Sequence, residues 1–201
     1  GAYGEDILVL WAAKLTGRPV KWVGERLESF MSDSHGRDVI ADCEMALDVN
    51  GRVTALRVSA DYNVGAYLSQ AAGVTPMFFT VLLSGVYAIP AIDVTTRCLF
   101  TNMGATAPYR GAGRPEAAFV LERLFDIAAR ELNLDPIEIR RQNLVKADQM
   151  PYQTALMPNL DCGDFEAVMD KGLEISDWAG FETRKTEASN RGKLYGRGIA
   201  V

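Results

Sequence analysis

Histidine is almost missing from this chain: His35 is the only one among 201 residues. A catalytic histidine pair or a histidine-based metal site is therefore excluded within it. Cysteine is scarce too. Cys43, Cys98 and Cys162 are odd in number and far apart, which gives neither zinc-type spacing nor a disulfide framework. Three small buried or half-buried thiols in a reducing compartment, the cytoplasm, are expected instead. No apolar run is long enough to span a bilayer, and none resembles a signal peptide. Positive charge is in deficit, with 21 Lys and Arg against 26 Asp and Glu, which argues against a nucleic-acid surface. Internal repeats and low-complexity segments are absent as well.

What remains is ordinary globular composition, 48% hydrophobic and 23% charged, enough for one large or two small domains. The stretch around which the rest is organised is Pro108-Tyr109-Arg110-Gly111-Ala112-Gly113-Arg114-Pro115-Glu116. Gly111 and Gly113 allow a sharp turn and close approach to a ligand. Pro115 and Glu116 suit the first turn of a helix. A helix start offers unpaired N–H groups and the positive end of the macrodipole. With Arg110 and Arg114 flanking the glycines, the segment reads as a receptor for an anionic or oxygen-rich ligand, or equally as a tight turn with solvated arginines. A nucleotide- or phosphate-binding module is a rival reading. It is weakened because Arg-Pro-Glu follows instead of a third glycine, and no Gly-Lys-Ser/Thr appears.

The patterning predicts an α+β fold with antiparallel or mixed sheet. Residues 5–16 form a helix with almost no polar face, expected to be buried on most sides. Arg18 to Val23 alternates like a short strand, and Glu25 to Ser34 reads as a helical turn. Within that region Arg26, Glu28, Asp33 and His35 fit no metal pattern and are expected to form surface ion pairs. Residues 37–49 and 52–65 form long strands joined at Asn50-Gly51, a strong hairpin signal. Met77 to Leu83 is a short helix and Ile92 to Thr101 a half-buried strand. Glu116 to Leu132 is an amphipathic helix, with Val120, Leu121 and Leu124 on one stripe and Glu122, Arg123, Asp126 and Arg130 opposite. Asp135 caps a helix to about Asn143. Residues 150–161 form a loop, Asp164 caps a helix to Leu173, and Asp177 caps a last one to about Asn190. Tyr195 to Val201 reads as the start of a strand, so the chain is expected to be a piece of a longer polypeptide. A soft boundary near 102 separates residues 1–101, helix plus hairpin and strand, from the mostly helical 102–201.

The loop also carries a family resemblance. Tyr109-Arg110-Gly111-Ala112-Gly113-Arg114-Pro115-Glu116-Ala117, then Glu122-Arg123, Asp126, Asp135-Pro136 and Arg140-Arg141-Gln142-Asn143-Leu144, resemble the molybdenum-binding large subunit of the xanthine dehydrogenase, aldehyde oxidase and aerobic carbon monoxide dehydrogenase family. Gly17-Arg18-Pro19-Val20-Lys21-Trp22, Gly65-Ala66-Tyr67 and Asp161-Cys162-Gly163-Asp164 fall in the family's order. The resemblance implies part of a molybdopterin-binding domain, with Arg110, Gly111, Ala112 and Gly113 next to the cofactor. It also implies molybdenum on a molybdopterin cytosine dinucleotide, oxidation of a small substrate with water as oxygen source, and iron–sulfur and FAD partners in an oligomeric parent. The general-base glutamate is expected outside this chain, as is the family's glycine-rich loop. No catalytic or metal-ligating residue is assigned here, and these residues alone are expected to be inactive and free of cofactor.

Two departures narrow the chemistry. In the carbon monoxide oxidisers a cysteine at the position of Gly111 carries a copper–sulfur bridge, and a glycine cannot. In the xanthine-type enzymes a Phe at the position of Ala112 packs on an aromatic substrate, so purines are not implied here.

Overall fold

The computed structural model describes residues 3–156 and 158–201. Its fold is α+β, as the patterning predicts. Helices α1 (Gly4–Thr16) and α2 (Arg26–Ser32) come first. Asp6 accepts a hydrogen bond from the Tyr3 N–H at 3.0 Å, and Gly17 ends α1 in the left-handed region at φ 62°. The expected burial of α1 is not observed: none of its residues is buried, and Leu10 is 72% exposed. Apolar composition signals a need for cover, and the described chain lays none over this helix. Arg18 to Val23 forms no strand, since no segment pairs with it. The predicted ion-pair cluster is also absent among the described residues. Glu28 instead accepts from the Glu25 N–H at 2.9 Å and caps α2.

Strand β1 (Val39–Leu47) pairs antiparallel with β2 (Val53–Gly65), as the Asn-Gly signal foretells. Asp48 holds the turn, accepting from the N–H groups of Asn50 and Arg52. Those bonds, led by the one from Arg52, hold its carboxyl below the usual range. A register shift at Ala46/Leu47 adds one residue to β2, so Val53 faces inward like Leu56, Val58 and Ala60. The shift itself leaves no mark in the apolar alternation.

Strand β3 (Ile92–Phe100) lies parallel to β2 on its other side, giving the order β1-β2-β3. Parallel neighbours need a crossover, and this one carries α3 (Val74–Val81), starting before the predicted Met77. The long helix α4 (Arg114–Glu131) and α5 (Pro136–Asn143) follow. As predicted, Asp135 caps α5, accepting from Ile137 and Glu138 at 2.7 and 3.1 Å. The predicted loop at 150–161 contains a two-stranded ribbon, β4 (Tyr152–Gln153) with β5 (Asn159–Leu160), while Met157 lies outside the described residues. Asp164 caps α6 (Phe165–Ile175) as expected. Asp177 does not cap α7 (Phe181–Asn190): it sits at φ 46°, its side chain engages Arg184, and it heads a 3-10 turn that separates it from that helix. Tyr195 to Val201 forms no ladder.

The core lies between the sheet, α3, α4 and α5, with Val58, Phe79, Leu83, Tyr87, Phe125 and Ile139 at its centre. A polar node sits inside it. Glu122 and Asp126, expected on the solvent face of α4, turn instead toward Arg140, which is wholly buried. Glu122 accepts from Arg140 Nε at 2.7 Å and from the Tyr87 hydroxyl at 2.7 Å. Arg140 also donates to Asp126 Oδ1 and to the carbonyls of Glu122 and Pro136. A buried ion pair holds only when its remaining hydrogen-bonding capacity is met in this way. Asn143, also buried, accepts from the Val53 N–H and donates to the carbonyls of Gly51 and Ile139, locking the hairpin turn to α5. Among the described residues no helix is long and apolar enough to cross a membrane.

Candidate functional site

The Arg110–Gly113 segment closes the loop that follows β3 and turns directly into α4. Three successive residues have positive φ: Gly111 at 98°, Ala112 at 44° and Gly113 at 94°. Such a run is strained for anything with a side chain, and Ala112 is the one residue that carries the strain. Gly113 is fixed for a second reason. A Cβ there would collide with the Thr75 carbonyl and the Phe79 N–H, so the loop is seated directly on the backbone of α3. At Gly111 a Cβ would meet Pro115 at 2.6 Å. The turn spends two of its own donors: Ala112 N–H on the Tyr109 carbonyl at 2.7 Å, and Arg114 N–H on the Gly111 carbonyl at 3.1 Å. Gly111 and Gly113 donate to no acceptor among the described residues, and neither does the exposed Arg110 guanidinium. Arg114 lies over the Phe78 ring, 4.7 Å from its centroid, so this flanking arginine is stacked rather than presented.

A residue the sequence did not single out, Arg37, completes the site. His35 and Thr106 form a parallel bridge, with His35 N–H on the Ala105 carbonyl and Ala107 N–H on the His35 carbonyl, both at 2.9 Å. That bridge brings Arg37 against the loop. Arg37 Nη2 donates to the Arg110 carbonyl at 2.5 Å, Nε lies 3.4 Å from Glu116 Oε1, and the guanidinium lies over the Tyr109 ring. Glu116, in the first turn of α4 as expected, is buried, and neither of its carboxylate oxygens has a hydrogen-bond partner. The nearby Tyr62 hydroxyl is equally bare. Burial, then the Glu116 charge, pushes that hydroxyl well above the ordinary tyrosine range. Beside Glu116 opens a groove of about 490 Å³ between β1 and α4, lined by Val39, Ala41, Phe119 and Leu124 among others and edged by Arg37 and Arg123.

No cluster of three or more potential metal ligands occurs among the described residues. His35 sits away from any such group, packed on Gly104. Of the cysteines, Cys43 is half-buried and lines the groove, whereas Cys98 and Cys162 are exposed, contrary to expectation; all three are free. Strand β3 is covered on one face only toward its start, which leaves Cys98 outside.

Fold and loop together present a glycine turn with unspent main-chain donors and an exposed guanidinium, rooted on a helix start. In comparison with known proteins, residues 1–144 match the molybdopterin cofactor-binding domain. The chain belongs to that family, the molybdenum-binding subunits related to carbon monoxide and xanthine dehydrogenases. It is 32% identical to the 6-hydroxypseudooxynicotine dehydrogenase complex subunit gamma of Paenarthrobacter nicotinovorans, across all of this chain and 26% of that protein. Identity is also 32% to the carbon monoxide dehydrogenase large chain of Hydrogenophaga pseudoflava, with the same coverage. Quinoline 2-oxidoreductase from Pseudomonas putida 86 superposes with a TM-score of 0.86 at 31% identity, over 94% of this chain and 24% of that one. The chain thus spans about a quarter of the length of the curated relatives it matches.

Proposed function

We propose that Arg110, Gly111, Ala112 and Gly113 hold a molybdopterin in a molybdenum-dependent oxidoreductase acting on an aldehyde, a heteroaromatic or a similar small substrate. One observation carries this reading: the loop leaves the Arg110 guanidinium and the Gly111 and Gly113 N–H groups unspent while locking its own shape. Those groups suit the phosphate and oxo oxygens of a pterin dinucleotide, for which an arginine and oriented main-chain donors are fitting partners. When bound, the metal centre supplies two-electron oxidation with oxygen taken from water. Arg110 would neutralise charge at that ligand. Gly111 and Gly113 would orient it through their N–H groups, and the small Ala112 side chain would leave room for a substrate. Glu116 is not the general base in this reading: it faces Arg37 within the first turn of α4, and the base is expected from elsewhere in the parent protein.

The cytosine dinucleotide form of the cofactor, iron–sulfur and FAD partners and an oligomeric parent belong to the same proposal, as does the cytoplasm, which three free cysteines favour. Carbon monoxide oxidation through a copper thiolate is disfavoured. Gly111 has no thiol, and a side chain there would strike Pro115 in this backbone conformation.

The test is Arg110→Ala in the full-length protein, with molybdenum and pterin content measured beside aldehyde or heteroaromatic turnover. Cofactor content or turnover should fall at least about tenfold, the effect of one lost charge-assisted contact. No change in either would remove the loop from the active site.

A further inference from the structure

We propose that Arg37 is a positioning residue: it sets the direction in which the Arg110–Gly113 loop presents its main-chain donors. The geometry stands without the cofactor reading, and its functional consequence rests on that reading. The Arg37 guanidinium engages three parts of one turn: the Tyr109 ring before it, the Arg110 carbonyl within it, and the Glu116 carboxylate after it. A planar guanidinium can span such a set, while an ammonium is a single point charge.

The contact with the Arg110 carbonyl matters most. A trans peptide is planar, with its C=O and N–H pointing in opposite directions. Holding the Arg110 carbonyl toward Arg37 therefore aims the Gly111 N–H the other way, where no acceptor is present among the described residues. Released, that peptide plane is free to rotate, because Gly111 tolerates either sign of φ.

Arg37 is itself held in place. It sits at φ 48°, in the left-handed region, and Gly36 before it has no room for a side chain because Tyr109 Cβ would lie 2.8 Å from a Cβ there. The isolated His35–Thr106 bridge fixes the segment from which Arg37 projects. Glu116, with no hydrogen-bond donor to its oxygens, depends on the Arg37 charge to offset its burial. Arginine, carbonyl and carboxylate thus form one clamp across the base of the loop.

The test uses Arg37→Ala and Arg37→Lys in the full-length protein. Hydrogen exchange is followed over residues 109–117, with β1 and β2 as internal reference, together with molybdenum and pterin content. Both variants should exchange about tenfold faster at Ala112 and Arg114, the factor that one lost hydrogen bond from a charged donor implies, while the strands stay protected. Cofactor content should fall several-fold. Lysine keeps the charge facing Glu116 but not the span, so Arg37→Lys carries the test if Arg37→Ala does not fold. Unchanged loop exchange in Arg37→Lys overturns the positioning role and reduces Arg37 to a counter-charge. Faster exchange with cofactor fully retained leaves the clamp standing and overturns the cofactor assignment of the loop instead.

Discussion

Helix α4 carries two buried glutamates six residues apart, Glu116 and Glu122. The helical rise separates them by roughly 9 Å and turns them roughly 120° from each other. Each faces an arginine, yet their surroundings differ. Glu122 accepts from Arg140 and Tyr87 and additionally, at 3.3 Å, from the Val201 N–H. Arg140 itself is fully inaccessible to solvent. Glu116 has one charge at 3.4 Å and no hydrogen bond, and its partner Arg37 is about one-third exposed at 35%. A saturated carboxylate deep in the core is part of the architecture. A bare one under a glycine turn is held by a single charge at the base of the loop. One helix therefore anchors the fold on one side and carries the candidate site on another.

The sharpest way to break this contrast is Glu122→Gln. It leaves the buried Arg140 charge with only the part-exposed Asp126 as counter-ion and should cost about 3 kcal/mol in denaturant unfolding, the low end for a broken buried pair. Replacing Glu122 and Arg140 together by Met should recover most of that loss. Next in size is Gly113→Ala, which must strain the left-handed backbone and push α3 away. It should cost about 1–3 kcal/mol, read as a lower Tm together with faster loop exchange.

A third prediction concerns alkali. Burial and then the adjacent Glu122 charge raise the Tyr87 hydroxyl above its ordinary range, and Tyr62 is raised by burial and then Glu116. A group whose folded pKa is raised lends stability that is intact below its unfolded pKa, about 10 for tyrosine. That stability drains away as the pH climbs from there through the folded value. Unfolding midpoints should hold steady to about pH 10 and fall above it. Tyr62→Phe should blunt the alkaline fall with no penalty at neutral pH, because the Tyr62 hydroxyl has no partner to lose. Tyr87→Phe should blunt it at the cost of a hydrogen bond. On the acid side Asp170 is held low by its hydrogen bond from Arg141, and Asp48 by the turn N–H groups. Their contribution is present above the unfolded carboxylate pKa of about 3.9 and disappears only as the pH drops below it. The smallest effect is reserved for Glu116→Gln, expected within about 1 kcal/mol of wild type in unfolding, because the carboxylate has no hydrogen bond to lose and its burial as a charge is relieved. A loss as large as that of Glu122→Gln would erase the distinction between the two glutamates.

Local signals in the sequence announced most elements. Asn50-Gly51, the Asp135 and Asp164 caps and the Gly-x-Gly before Pro115 each work through neighbours only a few residues away, so one strand of text suffices to read them. The motif from Arg140 to Leu144 was visible as resemblance alone. Its physical reasons, the Glu122 node and the Asn143 lock on the hairpin, span 18 and more than 90 residues of separation. Helical periodicity placed Glu122 and Asp126 outside because a carboxylate scores as polar whatever meets it. The buried Arg140 on the next helix reverses that. Arg37 was missed for a related reason. Nothing in Gly36-Arg37-Asp38 marks a loop clamp until the bridge between His35 and Thr106 brings the two segments together.

The open apolar face of α1 has a practical corollary. Leu8, Trp11 and Leu15 project into solvent together with Leu27, Phe30 and Met31 from α2. Uncovered surface of this kind drives self-association. These 201 residues prepared alone should scatter light increasingly as they are concentrated, and mild non-ionic detergent should reverse it without touching the sheet.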